Sequence, residues 1–323
     1  METKGKILIT GGAGFIGSHV AEAFLDRGAE TTVLDDFNDY YPPEIKEENL
    51  RAVRSHPRLS VVRGDIRDRS LVEEDFSGGR FSSVIHLAAR AGVLPSLERP
   101  VLYQDVNVTG TLTLLEASRR HGVGRFVFAS SSSVYGDAAR QPLSEAEEGL
   151  LPVSPYGATK LAGEQACRMF HRVYRLPISV LRFFTVYGPR QRPDMAIHKF
   201  SRLIWEGKEV PVFGDGSSRR DYTYVADIVA GVIAAWERTE GFEVFNLGGG
   251  RPVVLRDLLS LLGSLLGRPV REKHRPAERG DMKETWADVS KAVRRLGFQP
   301  RTPIEEGLER FTAWFQQRRS GRG

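Results

Sequence analysis

The stretch of sequence that decides the fold is Lys6-Ile7-Leu8-Ile9-Thr10-Gly11-Gly12-Ala13-Gly14-Phe15-Ile16-Gly17. Its first five residues predict a short buried strand, and the residues from Phe15 onward predict a helix. Between them, Gly11 permits a tight turn and Gly14 lets backbone N–H groups approach a pyrophosphate at the helix N-terminus. Gly17 allows the helix to pack closely on the strand. The stretch, with Phe15 and Ile16 at the start of the helix, therefore predicts a dinucleotide-binding site.

Strand and helix patterns alternate through the first half of the chain, which predicts a parallel sheet with helices on both faces and right-handed crossovers. The predicted strands are Lys6–Thr10, Glu30–Leu34, Leu59–Arg63, Ser83–Leu87, Phe126–Ala129 and Ile178–Phe183. The predicted helices are Phe15–Arg27, a stretch near Ile45–Arg54, Val101–Arg120 and Pro155–Tyr174. The fold class we predict is therefore α/β, with a Rossmann-type doubly wound parallel sheet.

Beyond Arg182 the elements become shorter and are separated by Gly, Pro and charged residues. The predicted helices there are Ala196–Glu206, Val225–Arg238, Leu255–Leu266 and Ile304–Gln317, and the predicted strands are Val210–Phe213 and Val244–Leu247. We expect residues 1–182 to form the dinucleotide-binding domain. Residues 183–323 are expected to form a smaller mixed α/β substrate-binding lobe, with some chain crossing back to the first domain.

Length and composition are those of an ordinary globular protein. The chain has 323 residues, of which 41% are hydrophobic and 27% charged, and a formal net charge of +5. No basic run is interleaved with aromatic residues, so nucleic-acid binding is not expected. Cys167 is the only cysteine, which excludes an internal disulfide and a cysteine-rich metal site. We expect no signal peptide, no membrane span and no bound metal, and therefore a cytoplasmic protein.

Two carboxylates follow the second predicted strand. A carboxylate at this position accepts hydrogen bonds from the adenosine ribose hydroxyls and repels a 2′-phosphate. Asp35 is the first candidate for this contact, and Asp36 is the competing one. Both favour NAD over NADP as the cofactor.

The third and fourth predicted strands also end in candidate cofactor residues. Asp65 and Ile66 follow the third strand, where the carboxylate could meet the adenine amino group. Asp65 could equally cap a helix, and both interpretations stay open. Leu87, Ala88 and Ala89 follow the fourth strand, where small residues leave room for the central part of a dinucleotide.

A candidate catalytic pair lies at the start of the helix predicted from Pro155. Tyr156 and Lys160 are four residues apart, so their side chains share one face of the helix. An ammonium beside a phenol favours the phenolate, so the tyrosine can act as a base near neutral pH. A tyrosine base with a nicotinamide cofactor suits hydride transfer at a carbon that bears a hydroxyl.

Four consecutive serines, Ser130–Ser133, follow the fifth predicted strand. Hydroxyls at the carboxyl edge of a parallel sheet point into the ligand crevice, where they can bind a substrate hydroxyl. A plain polar loop is the alternative explanation. The downstream Tyr156 and Lys160 favour the substrate site.

These features resemble the extended short-chain dehydrogenase/reductase family and, within it, the nucleotide-sugar epimerase branch. The resemblance covers nearly the whole chain. It includes the segments Gly11–Gly17, His86–Ala89, Ser130–Gly136, Tyr156–Lys160, Arg182–Arg190 and Phe213–Asp227. In that family the first domain binds NAD and the second mainly binds the nucleotide sugar. Family members are commonly homodimers, so a homodimer built on the helices Val101–Arg120 and Pro155–Tyr174 is also expected.

Three further segments, 35–41, 184–195 and 214–222, are similar to UDP-glucuronate 4-epimerases. Galactose-type epimerases usually carry Asn where this chain has Thr185. Dehydratases and decarboxylases of the family carry acidic residues where this chain has Ser132 and Ser133. One departure is Leu94, because relatives often have Arg at that position.

The resemblance also implies roles for individual residues. Tyr156 would be the acid/base, Lys160 would hold the nicotinamide ribose, and Ser131 would bond the sugar hydroxyl. The other residues expected to bind substrate are Ser132, Ser133, Thr185, Arg192, Phe213, Arg220, Arg279 and Asp281. Of these, Arg192, Phe213, Arg220, Arg279 and Asp281 would serve the UDP end.

The implied reaction is NAD-dependent epimerisation at C4 of a UDP-sugar, and we expect UDP-glucuronate to be converted to UDP-galacturonate. Tyr156 would take the proton of the 4-hydroxyl as C4 gives up a hydride, and the hydride would return to the other face of the 4-keto sugar. The alternatives are a UDP-glucose or UDP-N-acetylglucosamine 4-epimerase, and a decarboxylase or dehydratase relative. A non-catalytic NAD-sensing protein is the alternative from a different class.

Overall fold

The computed structural model describes residues 5–137, 140–276 and 284–320. Its strands are β1 Lys6–Thr10, β2 Glu30–Asp35, β3 Leu59–Arg63, β4 Phe81–His86, β5 Arg125–Ser131, β6 Ile178–Phe183, β7 Thr185–Tyr187, β8 Glu209–Phe213, β9 Arg219–Tyr224, β10 Phe242–Leu247, β11 Pro252–Val254 and β12 Arg271–Arg275. Its α-helices are α1 Phe15–Asp26, α2 Pro43–Leu50, α3 Arg69–Gly79, α4 Val93–Glu98, α5 Pro100–Gln104, α6 Gly110–Arg120, α7 Pro155–Tyr174, α8 Ala196–Trp205, α9 Val225–Arg238, α10 Leu255–Leu266, α11 Ser290–Leu296 and α12 Ile304–Ser320.

Seven strands form one parallel sheet in the order β10-β6-β5-β4-β1-β2-β3. From β1 the chain moves outward through β2 and β3, then returns to β4 on the other side of β1 and continues to β5 and β6. The crevice beyond the carboxyl ends of β1 and β4 is therefore the topological switch point, where doubly wound sheets bind ligands. The Rossmann-type sheet predicted from the sequence is confirmed.

Hydrophobic clusters fill both faces of this sheet. One cluster includes Phe24 of α1 and Val232 of α9, and the other includes Phe76 of α3 and Phe170 of α7. Successive strand residues belong to opposite clusters, because side chains alternate along a strand. Helices thus cover both faces, which gives three layers.

The chain beyond residue 182 contributes to both parts of the molecule. β10 is the edge strand of the large sheet and pairs with β6 in parallel register, while α9 packs against α1. The other strands form a small mixed sheet in the order β11-β9-β7 and a parallel pair, β12-β8. The predicted smaller mixed α/β part is therefore present. Among the described helices, none combines the length and the apolar character needed to cross a membrane.

The single helix expected over Val101–Arg120 is interrupted by a π-helical turn, Asp105–Thr109. This turn places Asn107 where its side-chain amide donates to the Arg90 carbonyl at 3.0 Å and to Thr159 Oγ1 at 3.0 Å. The side-chain Oδ1 of Asn107 also accepts from the Arg90 backbone N–H at 2.8 Å. The extra residue in the turn thus ties the loop after β4 to helix α7, a long-range contact that periodicity could not reveal.

Helix α3 was not predicted, because only Val72 and Phe76 of its residues are buried and its apolar pattern is weak. Its start is fixed by Asp68, whose carboxylate accepts from the backbone N–H groups of Ser70 and Leu71 at 3.0 and 3.1 Å. Asp68, and not Asp65, is therefore the helix cap.

Replacement of Gly17 by alanine tests the contact between α1 and β1. A Cβ at Gly17 would collide with the backbone of Gly11 and Gly12, so we expect Gly17→Ala to lower the free energy of unfolding by about 3 kcal/mol. Gly78→Ala is the matched control, because a Cβ there meets nothing within 4 Å and lies in a helix. That variant should stay within about 1 kcal/mol of wild type. Denaturant unfolding measures both, and equal values for the two variants would contradict the prediction.

Candidate active site

A cavity of about 380 Å³ lies at the carboxyl ends of β1, β2, β4 and β5. The cofactor residues predicted from the sequence all line it: Gly11, Gly14, Phe15, Ile16, Gly17, Asp35, Asp36, Asp65, Ile66, Leu87, Ala88, Ala89, Tyr156 and Lys160. The fold therefore brings together side chains that are up to 149 positions apart in sequence, from Gly11 to Lys160.

The N-terminus of α1 opens into this cavity with its donors available. No side chain caps the helix at Gly14, so the first-turn N–H groups and the positive end of the helix dipole can bind an anion. Gly11 has a φ of +69°, and a Cβ there would lie 2.7 Å from the backbone nitrogen of Ala88. The glycine loop thus holds α1 close to the end of β4, and the site fits the pyrophosphate of a dinucleotide.

Asp35 is already extensively hydrogen-bonded. Its carboxylate accepts from the backbone N–H groups of Ala13 at 3.2 Å and Phe37 at 2.9 Å, and from Lys46 Nζ at 3.3 Å. A carboxylate offers about four acceptor positions, so about one remains for a ribose hydroxyl. Asp36 is more exposed and lies 3.6 Å from the same Lys46 ammonium. Both carboxylates stay candidates for the ribose contact.

Asp65 lines the cavity but is paired with Arg67. The Arg67 guanidinium donates to both carboxylate oxygens at 2.6 to 3.0 Å, and this pairing lowers the pKa of Asp65 although burial opposes it. Asp68, and not Asp65, caps α3. A contact with the adenine amino group is therefore the interpretation that remains for Asp65. Its role in binding stays a prediction.

Tyr156 and Ser131 meet where the end of β5 faces the first turn of α7. Burial raises the pKa of Tyr156, while a hydrogen bond with Ser131 and the positive charge of Arg192 act to lower it. Lys160 Nζ donates to the carbonyl of Ala129 at 2.7 Å. The expected lowering of the Tyr156 pKa by the Lys160 ammonium stays a prediction.

Lys160 itself is buried, and burial lowers its pKa to about 8, partly opposed by the thiol of Cys167 and the carboxylate of Glu164. Its ammonium is therefore charged at neutral pH and close to its titration point. Cys167 is fully buried in the hydrophobic cluster of α7, as expected.

A second cavity of about 410 Å³ adjoins the first. Both are lined by Val93, Ser132, Ser133 and Thr185, so these residues mark where a molecule in one cavity would meet a molecule in the other. The hydroxyls of the serine run and of Thr185 thus lie at the junction, next to the Tyr156 side of the first cavity.

The second cavity is also lined by aromatic and cationic side chains. Phe213 and Arg220, both predicted from the sequence, line it together with Lys199 and Phe200 of α8. An aromatic surface beside cations suits a nucleobase and a diphosphate. Arg279 and Asp281, which the resemblance implied, lie outside the residues that the structure describes.

Arg192 lies between the two cavities. It lines the first, and its guanidinium forms a fork at 3.0 and 2.8 Å with Asp194, which lines the second. Its charge also faces the ring of Tyr40, 5.5 Å from the ring centroid. The expected contact of Arg192 with the UDP end stays a prediction.

Several residues that line the two cavities were not predicted. Lys46, Tyr40 and Arg90 line the first, and Lys199 and Thr285 line the second. Lys46 lies on a helix whose bounds were predicted only roughly, and nothing in its sequence neighbourhood marks it as buried. Across the described residues, no cluster of three or more His, Cys, Asp or Glu side chains could hold a metal ion.

The sequence profile of the NAD dependent epimerase/dehydratase family matches residues 7–248. The chain belongs to this family. The matched residues include the glycine loop, nearly all of the large sheet and the helix that carries Tyr156 and Lys160. The resemblance to this family that we drew from the sequence is confirmed.

The named relatives of this chain include two UDP-glucuronate 4-epimerases. The chain is 41% identical over 314 residues to a UDP-glucuronate 4-epimerase of Thermodesulfobacterium geofontis, with 97% of each protein covered. It is 39% identical to UDP-glucuronate 4-epimerase 3 of Arabidopsis thaliana, covering 96% of the chain and 76% of that protein.

Solved structures of the family share the whole fold. A UDP-glucuronic acid 4-epimerase from Bacillus cereus, in complex with UDP-glucuronic acid and NAD, superimposes with a TM-score of 0.91 at 37% identity and covers 97% of this chain and 99% of that one. A UDP-glucose 4-epimerase from Thermotoga maritima with UDP-glucose gives a TM-score of 0.90 at 36% identity, with the same coverage.

Proposed function

We propose that this protein is an NAD-dependent 4-epimerase of a UDP-sugar, and that it interconverts UDP-glucuronate and UDP-galacturonate. The support is threefold: the family, the names of its similar relatives and the geometry of the site. The observation that carries the proposal is the junction of the two cavities. Hydroxyl groups line it beside Tyr156, and the acidic side chain of the second cavity, Asp194, is held by Arg192.

That arrangement favours epimerisation over dehydration or decarboxylation. Both of those reactions use an acidic side chain near the sugar. Ser132 and Ser133 occupy the positions at the junction where the resemblance would require an acid. Among the described residues that line the second cavity, Asp194 is the one carboxylate, and its fork with Arg192 keeps its pKa low despite burial. A carboxylate in that state is a poor general acid.

The residues at the junction suit a proton transfer at the sugar 4-hydroxyl. Bound NAD supplies a reversible hydride acceptor for the sugar C4. Tyr156 would accept the 4-hydroxyl proton and return it after the sugar has turned, and Ser131 would hold the hydroxyl in line. Lys160 would hold the nicotinamide ribose. The pyrophosphate would lie at the N-terminus of α1, between Gly14 and Gly17.

A uronate substrate sets an additional requirement. Its 4-keto form is a β-keto acid, which loses carbon dioxide when the carboxylate is free to align with the carbonyl. Thr185, Ser132 and Ser133 are the hydroxyl donors that line both cavities. We assign them to the sugar carboxylate, because hydrogen bonds that fix its orientation would suppress the loss.

The proposed organisation places NAD on residues 1–182 and the nucleotide sugar mainly on residues 183–323. We also propose that the protein works in the cytoplasm, because its single cysteine is buried and offers no disulfide.

We further propose a homodimer formed through α4 to α7. Large apolar side chains are exposed on these helices, which contact one another: Leu97, Val101, Leu112, Met169, Val173 and Tyr174. Val101 is 72% exposed and Val173 is 59% exposed. Clustered exposed apolar groups of this size are typical of a protein interface, and a second copy would bury them symmetrically.

Incubation with UDP-sugars tests the proposed reaction. We expect UDP-glucuronate to yield UDP-galacturonate, identified by NMR, and Tyr156→Phe to lose at least about a hundredfold in kcat while it still binds NAD. Formation of a UDP-pentose would identify a decarboxylase instead. Turnover of UDP-glucose or UDP-N-acetylglucosamine alone would identify a hexose epimerase, and full activity of Tyr156→Phe would remove the mechanism.

Thr185→Val tests the contact with the sugar carboxylate. The change keeps the shape and removes the hydroxyl, so kcat/KM for UDP-glucuronate should fall about tenfold or more. The decarboxylated product should also rise above its wild-type level. UDP-glucose, which lacks the carboxylate, is the internal control and should be affected much less. An equal loss on both sugars would show that Thr185 does not serve the carboxylate.

The dimer is tested by the variant Met169→Glu/Val173→Glu. Two charges on the exposed face of α7 should prevent association and give a monomer by light scattering. The matched control is Val293→Glu, which places a charge on an exposed apolar residue of α11. A monomeric wild type, or a dimeric double variant, would refute this interface.

A further inference from the structure

A buried ion pair lies directly behind the Tyr156–Lys160 site. Glu164 follows Lys160 by one helical turn on α7, and Arg182 is on β6. Their side chains are each only 5% exposed. Neither residue lines either cavity, so the mechanism above does not use them.

The pair also bonds the end of the neighbouring strand. Arg182 donates to both oxygens of Glu164, from Nε at 3.0 Å and from Nη2 at 2.7 Å. The hydroxyl of Ser130, at the end of β5, donates to the same carboxylate at 2.5 Å. Ser130 directly precedes Ser131, the hydroxyl that meets Tyr156.

Stability alone does not account for such a pair. Removing two charges from water costs several kcal/mol per ion, and apolar residues of similar volume often serve stability as well or better. The position of the pair, between α7 and the strands β5 and β6, indicates a second role. Lys160 holds the backbone of Ala129, and Glu164 holds the side chain of Ser130. Consecutive residues of β5 are thus fixed to consecutive turns of α7.

We propose that Glu164 is a positioning residue: through Ser130 and Arg182 it sets where Ser131 lies relative to Tyr156. This inference rests on the proposed function for its catalytic consequence. Its structural basis, the contacts of Glu164 with β5 and β6, is independent of the substrate.

The charge of Glu164 matters because Lys160 is close to its titration point. Burial depresses the pKa of Lys160 to about 8, and Glu164 and Cys167 on its own helix act against that shift. From the neighbouring strands, His86 of β4 and Arg182 of β6 face the same region. His86 is neutral at physiological pH, since burial lowers its pKa to about 3. Without Glu164, the pKa of Lys160 falls further and its positive charge is lost at a lower pH.

Two variants separate charge from position. Glu164→Gln removes the negative charge and leaves a carbonyl that can accept from Ser130 and Arg182. Glu164→Asp keeps the charge and withdraws it by one methylene from Ser130. Ser179→Ala is the matched control, because it removes a buried hydroxyl of β6 that bonds Thr239 at 2.9 Å and touches neither α7 nor β5 through that bond.

Two readouts are measured for each folded variant. The first is NAD affinity as a function of pH, by calorimetry on protein freed of cofactor. In wild type the affinity should fall above pH about 8, as Lys160 loses its proton. The second is kcat and KM for the sugar that the wild type turns over. Thermal unfolding confirms that each variant is folded.

We expect Glu164→Gln to shift the midpoint of NAD binding down by about one pH unit, because the charge that opposes the depressed pKa of Lys160 is lost. Glu164→Asp should leave the midpoint in place and lower kcat about tenfold or more with little change in KM. Ser179→Ala should change neither readout. Wild-type values of kcat and of the midpoint in folded Glu164→Gln and in Glu164→Asp would overturn the inference. A wild type that epimerises no UDP-sugar would refute the proposed function instead, while the pH dependence of NAD binding would still test Glu164.

Discussion

The packing of α7 on the end of β5 is the interaction on which the site depends. Tyr156 is useful only if the helix that carries it is held at a fixed distance from the strand that carries Ser131. Lys160 makes that contact by donating to the carbonyl of Ala129 at 2.7 Å, in a setting where an unpaired ammonium would be costly. The same lysine thus joins helix to strand and supplies a cation beside the cofactor cavity.

The rest of the molecule arranges ligands around this contact. The glycine loop brings the N-terminus of α1 to the switch point of the sheet, where its free N–H groups can bind a pyrophosphate. The smaller part of the chain supplies the walls of the second cavity from β7, β8, β9 and α8. The two cavities meet at hydroxyl groups, which can bind and orient a sugar without adding an acid.

Local signals were sufficient where the chemistry depends on spacing within one element. Gly11, Gly14 and Gly17 could be found because a strand–turn–helix needs them at fixed positions, and Tyr156 and Lys160 because a helix places them on one face. The long strands of the sheet were found within about two residues. The sequence pattern did not predict α3, because few residues of that helix are buried. It also did not predict the π-helical turn around Asn107, because the contacts of that turn join residues distant in sequence.

The sequence by itself determined the fold class, the glycine loop and the placing of Tyr156 and Lys160 on one helix face, because each follows from local periodicity and residue type. The tertiary structure alone decided which charges meet. It placed Lys46 of α2 against Asp35 of β2, and it buried Glu164 of α7 with Arg182 of β6 behind the site. Such pairings join residues from separate loops and elements, and their strength depends on burial and distance. Neither quantity exists until the chain has folded.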